Sequence, residues 1–353
     1  MRRPHARIPQ TSLSISRRDH WMSNHRPTRR RLGSRSLWGF TAVVAVLSAT
    51  AGPTHADEAS REELPPYALV GETADGEELP PIVEVSESSV TSIPAFAGTG
   101  DIADAGPNVE FAPPPDADGV PEEGDVANPD AGVESVIGTD DRHRIRDTTT
   151  FPSRTIVQLT RFMSPHCSGF LVSPDTVVTA GHCVADGGSG RYYRGFRAWP
   201  GRDGSSLAPY GSCAYDSVYA PNAWKEEGDP AYDWGIVKLD CTIGSTTGWM
   251  ELRAPSGSLD GTEVRVRGYP GEKGEGFQQW NGNGSVRQSV PNLLRYNVDT
   301  SGGQSGAPVY RPGNATVIGI HNAGPSSLPG YSDSWNQGRR INQALLARIN
   351  ELR

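Results

Sequence analysis

From Arg154 onward short β-branched or aromatic runs alternate with Gly, Pro, Asn and Ser punctuation, and this pattern limits the fold more than any other feature. The runs are TIVQL (155–159), GFLVS (169–173), DTVVTA (175–180), GIVKL (235–239), EVRVRGY (263–269) and TVIGI (316–320). Many short strands separated by turn signals predict an all-β domain, a sandwich or barrels. The length of 135–353 suits two small barrels better than one, although composition does not choose between barrels and a sandwich. The end of the chain departs from this pattern. In GRRINQALLARINEL (338–352), Ile341, Leu345, Ile349 and Leu352 recur at helical spacing, which predicts an amphipathic C-terminal α-helix docked on the β core.

Charge divides the chain into three unlike parts. Residues 1–56 hold ten Arg and one acid, residues 57–134 hold twenty Asp and Glu against the single base Arg61, and residues 135–353 hold 22 bases and 20 acids. The net charge of −8 therefore comes from the middle part, and the basic cluster at the extreme N-terminus is no nucleic-acid footprint. That cluster, ending RRRLGSRS, precedes the apolar run Leu37–Gly52 and then THA at 54–56. Basic, apolar and then small residues predict a signal peptide over 1–56 and a secreted product, with cleavage after Ala56. A membrane anchor competes, but the apolar run is short for a span. The acidic part, 57–134, has no sustained apolar period and too much charge for a core of its own. It reads as disordered, either a linker or, by its position between signal and folded part, a propeptide.

All four cysteines, Cys167, Cys183, Cys213 and Cys241, lie in the last part. An even count in an exported chain predicts two disulfides with three possible pairings, of which 167–183 and 213–241 each close a short loop. A zinc site competes but lacks C-x-x-C or His-x-x-x-His spacing.

The stretch VDTSGGQSGAPVY (298–310) raises the question of a nucleophile at Ser305. G-x-S-G alone is weak, since Gly and Ser are common in turns. A serine nucleophile needs a base within reach and a group that fixes the base's tautomer. The folded part has four histidines. His182, in VVTAGHC, ends an apolar strand beside Cys183, where a disulfide would clamp the backbone that aims the imidazole. His143 lies in the charged run DDRHRIRD, which looks exposed, and His166 follows Pro165 in an expected loop. For the orienting acid, Asp233 in YDWGIVKLD has Tyr232 and Trp234 to exclude water and narrowly leads Asp229 and Asp240. Two glycines before Ser305 allow a turn that points the amides of Gly303 and Ser305 at a developing oxyanion.

In the order His, Asp, Ser, the segments TAGHC, YDWGIVKL and GGQSGAPV resemble chymotrypsin-like serine peptidases, and other triads run in other orders. SVIGTDDRHRIRDTTTFPSRTIVQL (135–159), GYPG (268–271) and the DTSGGQSG and IGIH segments narrow the resemblance to bacterial glutamyl endopeptidases over nearly all of 135–353. The resemblance implies two antiparallel β-barrels and cleavage after Glu, more weakly after Asp, through an acyl-enzyme. It assigns the substrate carboxylate to His321 and Thr300.

Trypsin-like zymogens pair a freed N-terminus with a carboxylate just before the nucleophile, whereas Gln304 here carries no charge. In staphylococcal relatives the new amine instead helps to receive the substrate carboxylate, and the resemblance implies a cut at Glu134–Ser135 that gives this role to Ser135 (or Val136) as first residue. That bond follows a Glu, so self-processing is compatible with the expected preference. The 167–183 bridge matches the common one around the base, and 213–241 is less general in the family. This chemistry needs no metal and no organic cofactor. The expected partners are protein or peptide substrates, with no nucleic acid, no stable membrane association after signal removal, and a monomeric state. A protease of other specificity, or a non-catalytic binding module on the same fold, are the alternatives.

Overall fold

The computed structural model describes residues 63–85, 90–111 and 135–353. The signal over 1–56 and Glu134 of the expected cut lie outside the described residues. The first strands are β1 (Leu69–Thr73), β2 (Glu78–Ile82), β3 (Ser92–Ile93), β4 (His143–Arg144), β5 (Ile156–Arg161), β6 (Ser164–Leu171), β7 (Thr176–Thr179) and β8 (Phe196–Pro200). Then come β9 (Cys213–Pro221), α1 (Asn222–Glu227), β10 (Gly235–Leu239), α2 (Ile243–Thr247), β11 (Leu252–Arg253) and β12 (Glu263–Gly268). The chain ends with β13 (Trp280–Ser289), β14 (Leu293–Tyr296), β15 (Pro308–Arg311), β16 (Thr316–Ala323), β17 (Asn336–Arg340) and α3 (Gln343–Leu352).

Two closed, six-stranded antiparallel barrels result. The first runs β5-β6-β7-β10-β9-β8 and back to β5. The second runs β12-β13-β14-β17-β16-β15 and back to β12. Successive strand residues point to opposite faces. Val157, Leu171, Val177 and Val237 therefore fill the first barrel, while their neighbours Ile156, Phe170, Val178 and Ile236 pack outward with Tyr269, Tyr310 and Ile320 of the second. Both faces of these strands are buried, which is why they read as continuous apolar runs rather than as alternations. Val264, Val266, Leu294 and Val309 fill the second barrel.

The C-terminal helix is shorter than its spacing predicts. Asn336–Arg340 form β17 and close the second barrel, and the helix starts at Gln343, where the Asn342 side chain accepts the Leu345 N–H at 2.9 Å. That cap satisfies an amide with no intrahelical partner and so sets the boundary. Ile341, Leu345 and Ile349 are buried as expected.

Disorder throughout 57–134 is corrected. Residues 63–85 and 90–111 form β1, β2 and β3 and lie against the barrels. They build no core of their own, in keeping with their charge. Backbone pairing to strand edges holds them, with single apolar residues such as Leu69, Ile93 and Ala105 fully buried as anchors. A sustained apolar period is unnecessary for a segment held in this way.

Candidate active site

The turn after β7 carries His182, and the turn before β10 carries Asp233. Those strands pair directly, with Gly235 opposite Thr179, so the two turns meet at one barrel end. Asp233 is 1% exposed. Its Oδ2 lies 2.9 Å from His182 Nδ1, and its Oδ1 accepts the His182 backbone N–H at 2.9 Å. The carboxylate thus fixes ring and backbone together and leaves Nε2 as the basic nitrogen. The rival acids are engaged elsewhere: Asp229 accepts the Ala231 N–H at 2.8 Å, and Asp240 is exposed.

The loop 299–307 brings Ser305 to the same place. Ser168 N–H donates to the Ser305 carbonyl at 2.8 Å, Ser168 Oγ donates to the Gly303 carbonyl at 2.8 Å, and the Tyr269 N–H donates to Ser168 Oγ at 2.8 Å. Ser168 follows Cys167, which is bridged to Cys183 beside His182 with Cα atoms 6.1 Å apart. The Ser305 loop and the His182 turn are therefore joined through one covalent clamp. Gly303 and Gly306 have φ of +96° and +84°. A Cβ at 303 would lie 2.6 Å from the Tyr269 carbonyl, and one at 306 would lie 2.1 Å from Thr179 Oγ1. Only glycine fits a loop so turned and so closely approached. Cys213 and Cys241 form the second bridge, Cα atoms 6.0 Å apart.

Thr300 is fully buried, and its hydroxyl has no hydrogen-bond partner. Its N–H lies 3.4 Å from the Ser135 carbonyl. Ser135 is seated on β17, where Asn336 accepts its N–H at 3.2 Å and donates to its carbonyl at 2.7 Å. His321, fully buried on β16, exchanges backbone hydrogen bonds with Gly306 and Ala307 and so moves with the nucleophile loop. Its Nδ1 lies 3.0 Å from the Gln337 carbonyl and 2.6 Å from the Tyr296 hydroxyl, which itself donates to Gln337. A carbonyl can only accept, so Nδ1 carries the proton, and Nε2 becomes a donor when the ring is protonated.

Two readings of the sequence are corrected. The run DDRHRIRD is not wholly exposed: His143 is, but the Arg142 side chain is 1% exposed. All five of its N–H groups are used, by both oxygens of Asp140 and by Glu272, Ser301 Oγ (2.6 Å) and Gln304 Oε1 (2.9 Å). The Arg142 hydrogen bonds hold the Asp140 carboxyl well below the usual range. His166 lies not in a loop but on β6, with Nε2 2.9 Å from the Cys183 carbonyl and its ring edge-on to Tyr193. Burial, then the charge of Arg161, pushes its pKa down to about 3. Arg142, Ser168 and Asn336 have no place in a reading of local motifs. The one available signal for Arg142 is its position inside the stretch that resembles the start of mature relatives.

The trypsin-like peptidase domain model matches residues 167–320. Glutamyl endopeptidase of Bacillus licheniformis is 36% identical over 253 residues, 70% of this chain and 74% of that protein. A Bacillus subtilis protein named extracellular metalloprotease is 41% identical over 217 residues, 59% of this chain and 66% of its own. The solved structure of a Glu endopeptidase in complex with MPD aligns at TM-score 0.56 and 33% identity, covering 62% of this chain and 98% of that one. The second relative's name raises a metal. Among the described residues, the His, Cys and acid groups close enough to share an ion are Cys167/His182/Cys183 and Cys213/Asp240/Cys241. In both, the sulfurs are bonded to each other, so neither offers a thiolate. Identity to the Bacillus licheniformis enzyme across most of both chains, on a fold of paired β-barrels, makes this chain a serine endopeptidase that belongs to the glutamyl endopeptidase family.

Proposed function

We propose that this chain is a secreted endopeptidase that cleaves after Glu, and more weakly after Asp. In this reading 1–56 is the signal peptide, 57–134 the propeptide and 135–353 the peptidase domain, freed by a cut at Glu134–Ser135. His182 Nε2 takes the proton from Ser305 as its oxygen attacks the scissile carbonyl, and Asp233 stabilises the imidazolium. The amides of Gly303 and Ser305 receive the oxyanion. His182 then gives its proton to the departing amine, leaving an acyl-enzyme that water hydrolyses by the same steps in reverse roles. Protein and peptide chains are the substrates.

For the triad, the supporting observation is the double hold of Asp233 on His182, at Nδ1 and at the backbone N–H. For the acidic preference it is the buried, unpartnered hydroxyl of Thr300, since a polar group out of water without a partner is costly unless a ligand supplies one. A substrate carboxylate would accept from that hydroxyl, from His321 as imidazolium and from the amine of Ser135. The test is a panel of peptides with Glu, Asp, Phe or Lys before the scissile bond. Glu should lead, and Thr300→Val and His321→Gln should each lower kcat/KM for Glu by about tenfold or more while changing the Phe peptide little. Equal turnover of Glu and Phe peptides would discard the acidic preference and leave a serine endopeptidase of other specificity.

A further inference from the structure

Residues 63–85 and 90–111 complete edges that the barrels leave open. β8 pairs with β9 only at Arg197↔Ala214 and Ala198↔Cys213, and β1 then takes over the same edge from Ser217 to Pro221 while β10 holds the other. β3 covers the outer edge of β11 at Leu252↔Ile93 and Arg253↔Ser92. Further along, Trp249 Nε1 donates to the Pro94 carbonyl at 3.1 Å, and the Phe96 ring lies 4.6 Å from the Trp249 ring. Thr246 Oγ1 donates to the Asp101 carbonyl and Asn108 Nδ2 to the Asp240 carbonyl, both at 2.7 Å. The peptidase side is shaped for this contact: a Cβ at Gly248 would stand 2.1 Å from the Phe96 carbonyl.

We propose that this strap stays seated after the precursor is cut, as a second, non-covalently held chain that is a lasting structural part of the enzyme. The proposal rests on the reading that 135–353 is freed by cleavage. Such a cut breaks one peptide bond, and residues 112–134 separate it from the last described strap residue. Every contact named above survives it. Departure would instead strip the edges of β9 and β11 and wet the surroundings of Leu69 and Ile93, both fully buried. Open edges of that kind invite pairing with other chains, and a strand added in register is a standard way to cover them.

The test uses the full chain carrying Ser305→Ala, with residues 130–134 replaced by the recognition sequence of an added, unrelated protease. After cutting, gel filtration and native mass spectrometry should find the strap fragment with 135–353 at one to one, separating only in denaturant. Leu69→Asp with Ile93→Asp should weaken retention by about a hundredfold or more, because each places a charge in a dry apolar site. Should that variant not fold, hydrogen exchange decides: the amides of Val218–Ala220 that face β1 stay slow after the cut if the strap remains. A fragment that elutes apart from a folded 135–353, or fast exchange of the β1-facing amides of Val218–Ala220, overturns the proposal. The cut is made by the added protease, so the outcome does not depend on natural processing at Glu134–Ser135. N-terminal sequencing of the secreted enzyme tests that separately.

Discussion

At the scale of single residues, Arg142 has the most consequential contacts outside the triad. Gln304 precedes the nucleophile without a charge, and Arg142 reaches it from a segment 162 residues away in sequence. Arg142→Met would remove one donor each from Glu272, Ser301 and Gln304, leaving Glu272 only the Ser301 hydroxyl and Gln304 Oε1 only the Ser301 N–H. Asp140 and Glu272 are part-exposed and can be rehydrated, so the loss of these charge-assisted hydrogen bonds costs about 1.5–3 kcal/mol, which thermal unfolding would register, and kcat should fall more than KM rises because the loop carrying Ser305 loosens. His166 makes a pH prediction. Its pKa is 6.5 in the unfolded chain and about 3 in the folded one, so the unfolded state binds the extra proton between those values. Its share of stability is complete above pH 6.5 and is lost as pH falls towards 3. Urea unfolding of His166→Gln should accordingly change less over that interval than that of the parent chain. His182 and Asp233 stand out in the sequence through their immediate neighbours: a strand end, a cysteine, flanking aromatics. Arg142 and Ser168 carry no such mark, because their partners Tyr269, Glu272, Gly303 and Gln304 lie 101 to 162 residues away and only the fold sets that register.

Elements were legible where one face or both faces of a strand are dry. GIVKL is β10 residue for residue, and EVRVRG is β12. Failures came where a tertiary edge outweighed local pattern. Asn336–Arg340 has no strand composition, yet it fills the last place in the second barrel between β14 and β16. The β1–β2 hairpin likewise depends on an edge in β9 that local sequence does not announce. Among connections, the Cys213–Cys241 bridge closes a loop of 28 residues between β9 and the end of β10. Replacing both cysteines by Ser should lower stability by about 3–4 kcal/mol from the entropy returned to the unfolded chain, measured by denaturant unfolding under oxidising conditions. Activity at low temperature should persist, since the bridge that adjoins His182 is the other one.

For the whole molecule, composition misjudged what an acidic segment can do. Lack of a core excludes independent folding and says nothing about folding onto a neighbour. The two barrels were legible through the order of the His182, Asp233 and Ser305 segments, because a fold and its chain order constrain each other. The clamp at Arg142 has one more consequence at this scale. It fastens the nucleophile loop from within the chain and does not wait for a free amine. A chain kept uncut by Glu134→Gln should therefore react with a fluorophosphonate within about threefold of the rate of the cut form, while its KM for Glu peptides is raised by the missing amine. Under the proposed processing, latency would then lie in recognition and not in chemistry: an enzyme armed but poorly aimed until the cut.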